Sequence, residues 1–167
     1  MDRMPNYVNI LKQADILYGM TTTQLEMVGN LCQERSFNAG EIIFPEGASS
    51  DELYIVIQGE VEILVNPVLI NEHPEKAHPS STIATLRRGQ SFGEVALVDR
   101  GLRSATALAA QNNTRLLAIP SDHLLKLCEN YPQFGYRLML NLAADLSLKI
   151  RNTNLRIREE LLSKQKG

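Results

Sequence analysis

The apolar positions of this chain change period twice. From 6 to 34, Val8, Leu11, Leu17, Leu25, Val28 and Leu31 recur at helical spacing. Within "TTTQLEMV", Thr22 or Thr23 is the expected helix cap ahead of Gln24, Leu25 and Glu26. From 40 to 120 the runs shorten to "GEIIF", "ELYIVIQG", "EVEILV", "STIATL", "SATALAA" and "TRLLAIP". Several are rich in β-branched residues, and glycine and proline separate them, which predicts an all-β sandwich or barrel. Residues 55–65 read as two strands joined at Gly59, with Val61, Ile63 and Val65 on one face. From Ser121 the helical period returns. Ser121 or Asp122 is the expected cap of "HLLKLCENY", and Pro132 starts another helix, where proline is favoured in the first turn.

The stretch 133–163 contains no proline and a single glycine, Gly135. A helix of that length extends about 45 Å, more than the face of a small domain. It carries two apolar stripes. One holds Leu142, Leu146, Ile150, Thr153, Ile157 and Leu161; the other holds Leu148, Leu155 and Leu162 at seven-residue spacing. One stripe suffices to pack on the β region. The second predicts another customer, most simply the same helix of a second copy, giving a homodimer.

Composition narrows the field. A chain of 167 residues with 44% hydrophobic content suits one domain spanning 1–167. Its parts are N-terminal helices over about 6–34, a β region over 40–120 and C-terminal helices over 121–164. A net charge of −2 gives no global attraction for nucleic acid. No apolar run reaches the length of a membrane span, and the N-terminus shows no secretory pattern. Cys32 and Cys128 sit far apart in helical patterns and read as buried free thiols, consistent with a cytoplasmic location. Residues 66–81 hold three prolines and read as a long exposed loop. His73 and His78 lie in it without metal-ligand spacing, so no metal is expected.

The chemistry concentrates in "SFGEVALVDRGLRSATA", residues 91–107. Gly93 permits close backbone approach, a helix start near Glu94 offers free N–H groups, and Arg103 offers a charged fork. Together these are the parts of an anion site. Taken alone, Glu94 and Arg103 favour the reading of a plain surface ion pair.

Two segments in order give the stretch its context. "GEIIFPEGASSDELYIVIQGEVEI" has glycines at expected strand turns, Gly40, Gly47 and Gly59, and "FGEVALVDRGLRSATA" follows it. With a helix before and a long helix after, about residues 10–155 resemble the cyclic nucleotide-binding domain family. That resemblance implies a mainly β fold with flanking helices: a jelly-roll-like β-roll, N-terminal helices, a short phosphate-cassette helix and a long C-terminal helix. It implies that Arg103, Ser104 and Ala96 meet the cyclic phosphate. Glu94 would accept from the ribose 2′-hydroxyl beside Gly93, and Ile63 and Ile83 would wall the base. In the catabolite activator protein a Thr-Ser pair on the long helix touches the base. An ungapped match puts Lys149 and Ile150 there, leaving Arg151, Asn152 and Thr153 as nearby polar candidates.

The resemblance implies a cyclic nucleotide ligand and no enzymatic activity, cofactor or catalytic residue. Ser104 follows the arginine, as serine does in the catabolite activator protein, so cyclic AMP is the preferred ligand with cyclic GMP possible. Transcription factors of the family continue into a helix-turn-helix after the long helix. None is present up to Gly167, so DNA binding is not expected and the effector is open. The basic residues of 149–167, Lys149 among them, read as a solvated helix face. Two rival readings are a ligand-free interaction domain of the same fold and a cupin-type β-roll enzyme. The second needs histidines in the barrel mouth, which His73, His78 and His123 do not suit.

Overall fold

The computed structural model describes residues 7–49, 51–66 and 80–165. Two short helices, α1 (Val8–Leu11) and α2 (Thr22–Gly29), flank a 3-10 turn at Asp15–Leu17. Eight strands follow: β1 (Gln33–Phe37), β2 (Ile42–Phe44), β3 (Glu52–Gln58), β4 (Val61–Val65), β5 (Ser81–Leu86), β6 (Ser91–Phe92), β7 (Thr106–Ala109) and β8 (Thr114–Pro120). Helix α3 (Val95–Asp99) interrupts them between β6 and β7. Helices α4 (Ser121–Asn130) and α5 (Pro132–Gln165) close the chain. The strands form two antiparallel four-stranded sheets, β1-β8-β3-β6 and β2-β7-β4-β5.

Strands β3 and β8 explain the most apolar runs of the sequence. Successive strand side chains point to opposite faces. Leu53, Ile55 and Ile57 of β3, with Leu117 and Ile119 of β8, join the core shared with the helices. Their alternates Tyr54, Val56, Leu116 and Ala118 join a second core with Val61, Leu86, Phe92 and Ala107 from the neighbouring strands. Both faces are therefore covered, and "LYIVI" and "LLAI" need no polar alternation. Strands β3 and β4 do not pair with each other; Gly59 carries the chain from one sheet to the other at φ +79. A side chain there would also clash with Thr114.

Local signals near the helix ends differ from expectation. The 6–34 segment is not helical to its end, because Gln33–Phe37 is strand β1. Its polar sequence suits an edge position, where Glu34 pairs with Arg115 of the adjacent β8 and Arg35 reaches Glu52 of β3, one strand further in. The cap of α2 is Thr21, one residue before the expected threonines. Its hydroxyl accepts from the Gln24 N–H while the Gln24 side chain accepts from the Thr21 N–H. Pro120 holds the cap position of α4, so Ser121 is its first helical residue and Asp122 lies in its first turn.

Helix α5 runs 34 residues, about 50 Å. Phe134, Leu138 and Leu142 are buried in the helix-side core. Asn141 donates to the Ile16 and Tyr18 carbonyls, tying this half to the 3-10 turn. Beyond Lys149 every described residue of the helix is exposed. Of the first stripe, Leu142 is buried and Leu146 half-buried, while Ile150, Ile157 and Leu161 are exposed; so are Leu148, Leu155 and Leu162 of the second. His73 and His78 lie outside the described residues, and His123 is exposed.

Candidate functional site

The 91–107 stretch folds as strand β6, a bend at Gly93, helix α3 and an extended return into β7. Tyr54 and Ile55 of β3 pair with Phe92 and Ser91, which anchors the entry. Leu97 of α3 is buried in the helix-side core and anchors the middle. Two backbone bonds anchor the exit: Arg103 N–H donates to the Ala48 carbonyl and Gly47 N–H donates to the Arg103 carbonyl. Gly47 sits at φ +79, a conformation that glycine tolerates best, so the first signature segment holds the second in place.

Arg103 is buried, at 6% exposure. Its Nη2 donates to the Glu52 carbonyl at 2.8 Å and its Nη1 to the Gly93 carbonyl at 3.3 Å. Its guanidinium carbon lies 4.0 Å from the centre of the Phe44 ring and 5.6 Å from that of Tyr54. Nε has no hydrogen-bond partner among the described residues. Burial lowers the Arg103 pKa from its ordinary value, opposed by Tyr54, Asp51, Glu52 and Glu94. Behind it, Glu52 accepts a two-pronged bond from Arg35 and one from the Tyr54 hydroxyl at 2.7 Å. Burial raises the Glu52 pKa, but these donors outweigh it and hold the carboxyl below its ordinary value.

Glu94 is buried at 5% exposure, and its partner is not Arg103. Lys149 of α5 reaches it: Nζ lies 2.7 Å from Glu94 Oε1, 2.7 Å from Asp145 Oδ2 and 3.0 Å from the Ser91 carbonyl. Burial opposes the Lys149 charge, yet Glu94 and Asp145 more than offset it, and its pKa is raised. The sequence reading put Lys149 on a solvated face. The structure corrects that, because the fold brings α5 across the cassette and three oxygens surround the ammonium. Charge periodicity along one helix carries no signal for acceptors 55 residues away.

These groups share a cavity of about 520 Å³ between the cassette, β4–β5 and α5. Gly93, Glu94, Arg103 and Ser104 line one side and Ile63 and Ile83 another. Asn152 and Thr153 line it from the helix, together with Leu148, Lys149 and Arg156. Arg151 is exposed and not among the lining residues, since its helical position turns it off that face. The Thr153 hydroxyl donates to the Lys149 carbonyl. Ala96 lies in α3, but its side chain is outside the described residues. Among the described residues no group of three or more His, Cys, Asp or Glu is placed to hold a metal ion.

The family profile of the cyclic nucleotide-binding domain matches residues 34–131, more than half of the chain. This chain belongs to the cyclic nucleotide-binding domain family. The Cyclic AMP receptor protein of Thermus thermophilus is 30% identical over 92% of this chain and 64% of its own length. The cGMP-dependent protein kinase, isozyme 1, of Drosophila melanogaster is 27% identical over 76% of this chain and 16% of its own. This chain thus spans less than two thirds of either relative. Among solved structures, the Thermus thermophilus Catabolite Activator Protein superposes with a TM-score of 0.71 at 30% identity, covering 90% of this chain and 63% of that one. The regulatory domain of Toxoplasma gondii PKA, crystallised with cAMP, has a TM-score of 0.68 at 23% identity, covering 84% and 48%. The expected β-roll with flanking helices and a long C-terminal helix is the fold observed. No described helix is long and apolar enough to cross a membrane.

Proposed function

We propose that this chain is a regulatory module that senses a cyclic nucleotide, with cyclic AMP preferred, in the cavity between the cassette and α5. One observation carries the reading: Arg103 and Glu94, both buried, line a single cavity that also holds the apolar side chains of Ile63, Ile83 and Leu148 and the polar ones of Asn152 and Thr153. A buried guanidinium stacked on Phe44, with Nε unpaired among the described residues, suits a singly charged cyclic phosphate. Ser104 lines the cavity beside it. Glu94 suits the ribose 2′-hydroxyl, and Ile63 and Ile83 suit the base. Under this reading residues 1–167 form one binding domain, without catalysis.

The preference for cyclic AMP rests on the Ser104 position, and the relatives are named for both nucleotides. The Thermus protein is named for cyclic AMP and the Drosophila kinase for cyclic GMP. The phosphate and ribose contacts are blind to the base, so both nucleotides bind and the preference is modest. A single hydrogen bond to the base contributes about 0.5–1.5 kcal/mol, roughly tenfold at most. Competition titration of the two nucleotides is the test. Binding of neither overturns the reading, and a clear preference for cyclic GMP overturns the choice of base.

The exposed apolar residues of α5 support dimerisation through that helix. Leu148, Leu155 and Leu162 recur every seven residues at 55–60% exposure, the last two beyond the part that its own domain covers. Ligand entering the cavity touches the same helix, so occupancy and helix position are coupled, and helix movement is the output to the effector.

A further inference from the structure

An ammonium has three donors, and Lys149 has three oxygens within 3.0 Å. Two belong to the cassette region, Glu94 Oε1 and the Ser91 carbonyl; the third, Asp145, lies one turn back on the same helix. This is the last close polar tie between α5 and the β-roll. Further along, among the described residues, Arg156 reaches the Thr82 carbonyl only at 3.5 Å. The Lys149 ammonium donates to Glu94 Oε1 and the Ser91 carbonyl and is ion-paired with Asp145, so a ligand that displaced it would lose a charge-assisted bond. Glu94, in contrast, is a carboxylate with two oxygens and several lone-pair directions. With Oε1 held by Lys149, the carboxylate plane is fixed and Oε2 keeps its acceptor capacity.

We propose that Lys149 is the positioning residue of the ribose subsite: it orients Glu94 from helix α5, so that recognition of the ribose 2′-hydroxyl and the seating of α5 are one equilibrium. This rests on the cyclic nucleotide reading above and adds to it a named link. A buried carboxylate without its cation is poorly placed as an acceptor beside an incoming phosphate, because nothing offsets its charge or fixes its rotation. Lys149 supplies both. Coupling free energy is reciprocal. A ligand that needs an oriented Glu94 therefore tightens the Lys149 anchor, and a ligand without the 2′-hydroxyl does not.

The test compares cyclic AMP with 2′-deoxy-cyclic AMP on the full chain, by titration and by hydrogen exchange of the α5 amides. The parent chain prefers cyclic AMP by roughly 10- to 100-fold, as expected for a hydrogen bond to a charged group. Cyclic AMP also protects α5 more than the deoxy analogue does. In Lys149→Met that preference falls by about tenfold, toward the loss expected in Glu94→Gln, and the difference in protection disappears. Lys149→Arg, which keeps a cation at the position, restores part of the preference. Lys149→Gln, with a single donor group in place of the ammonium, carries the same comparison if methionine at 149 does not fold. If Lys149→Met and Lys149→Gln keep the parental preference and the parental difference in protection, Lys149 is a structural ion pair only and the proposal is wrong, while the nucleotide reading stands. If the parent chain binds neither nucleotide, both fall.

Discussion

A Cβ atom at residue 93 would lie closer than 3.0 Å to Nη1 of Arg103 and 3.1 Å from the Glu52 carbonyl oxygen. Gly93 also adopts φ +79. The position is thus closed to a side chain twice over, by backbone conformation and by the guanidinium it supports. Gly93→Ala is expected to cost about 1–2 kcal/mol of stability from the backbone alone. Its effect on cyclic AMP binding is larger, because Arg103 must leave its place on the Gly93 carbonyl and the Phe44 ring. Chemical denaturation and nucleotide titration on the same sample separate the two effects. A variant that binds like the parent would contradict the geometry.

Arg103→Ala removes the guanidinium from the cavity. Truncating one partner of a buried charged contact costs roughly 2–5 kcal/mol, which is more than tenfold in affinity. Titration with cyclic AMP reads this loss. Glu94→Gln is expected to lose less, since an amide still makes a hydrogen bond. Parental affinity in Arg103→Ala would show that the cavity is not the phosphate site.

Leu155→Asp addresses assembly without disturbing the domain, since Leu155 is 55% exposed in the single chain. In a dimer through α5 the new carboxylate is buried without a partner, which is costly. Sedimentation is expected to find the parent dimeric and the variant monomeric, with the same thermal transition for the isolated domain. A parent chain that remains monomeric at high concentration would rule out the helix interface.

The structure also sets an alkaline limit on stability. Burial pushes the Cys32 thiol up to about 12 from 9.0. Burial, then Glu52, pushes the Tyr54 hydroxyl up to about 12 from 10.0. In both the folded state favours the protonated form. Their contribution is complete below the unfolded values and is lost as pH rises through the folded ones. The denaturation midpoint is therefore expected to fall between pH 9 and pH 12, and to fall less steeply over pH 9–10 in Cys32→Ala. A flat profile across that window would contradict the burial of these groups.

Much of the molecule follows from local pattern. The β runs between 40 and 120 and the helix after Pro132 are legible because strand and helix periods leave different apolar spacings. Gly93, Glu94, Arg103 and Ser104 were legible as one group because a short segment carries them all. Strand β1 was not: "QERSF" has no apolar alternation, and its place at a sheet edge comes from pairing with the distant β8, Glu34 opposite Leu117 and Ser36 opposite Arg115. The partner of Glu94 was hidden for the same reason. Sequence proximity suggested Arg103, but Arg103 turns to the carbonyls of Glu52 and Gly93 and to the Phe44 ring. Lys149, far along the chain, supplies the counter-charge. Local sequence determines most of the elements, though not β1, since period, turns and caps act over a few residues. Which charges meet is decided by how α5 crosses the β-roll, because electrostatic pairing depends on distance in space and is indifferent to separation along the chain.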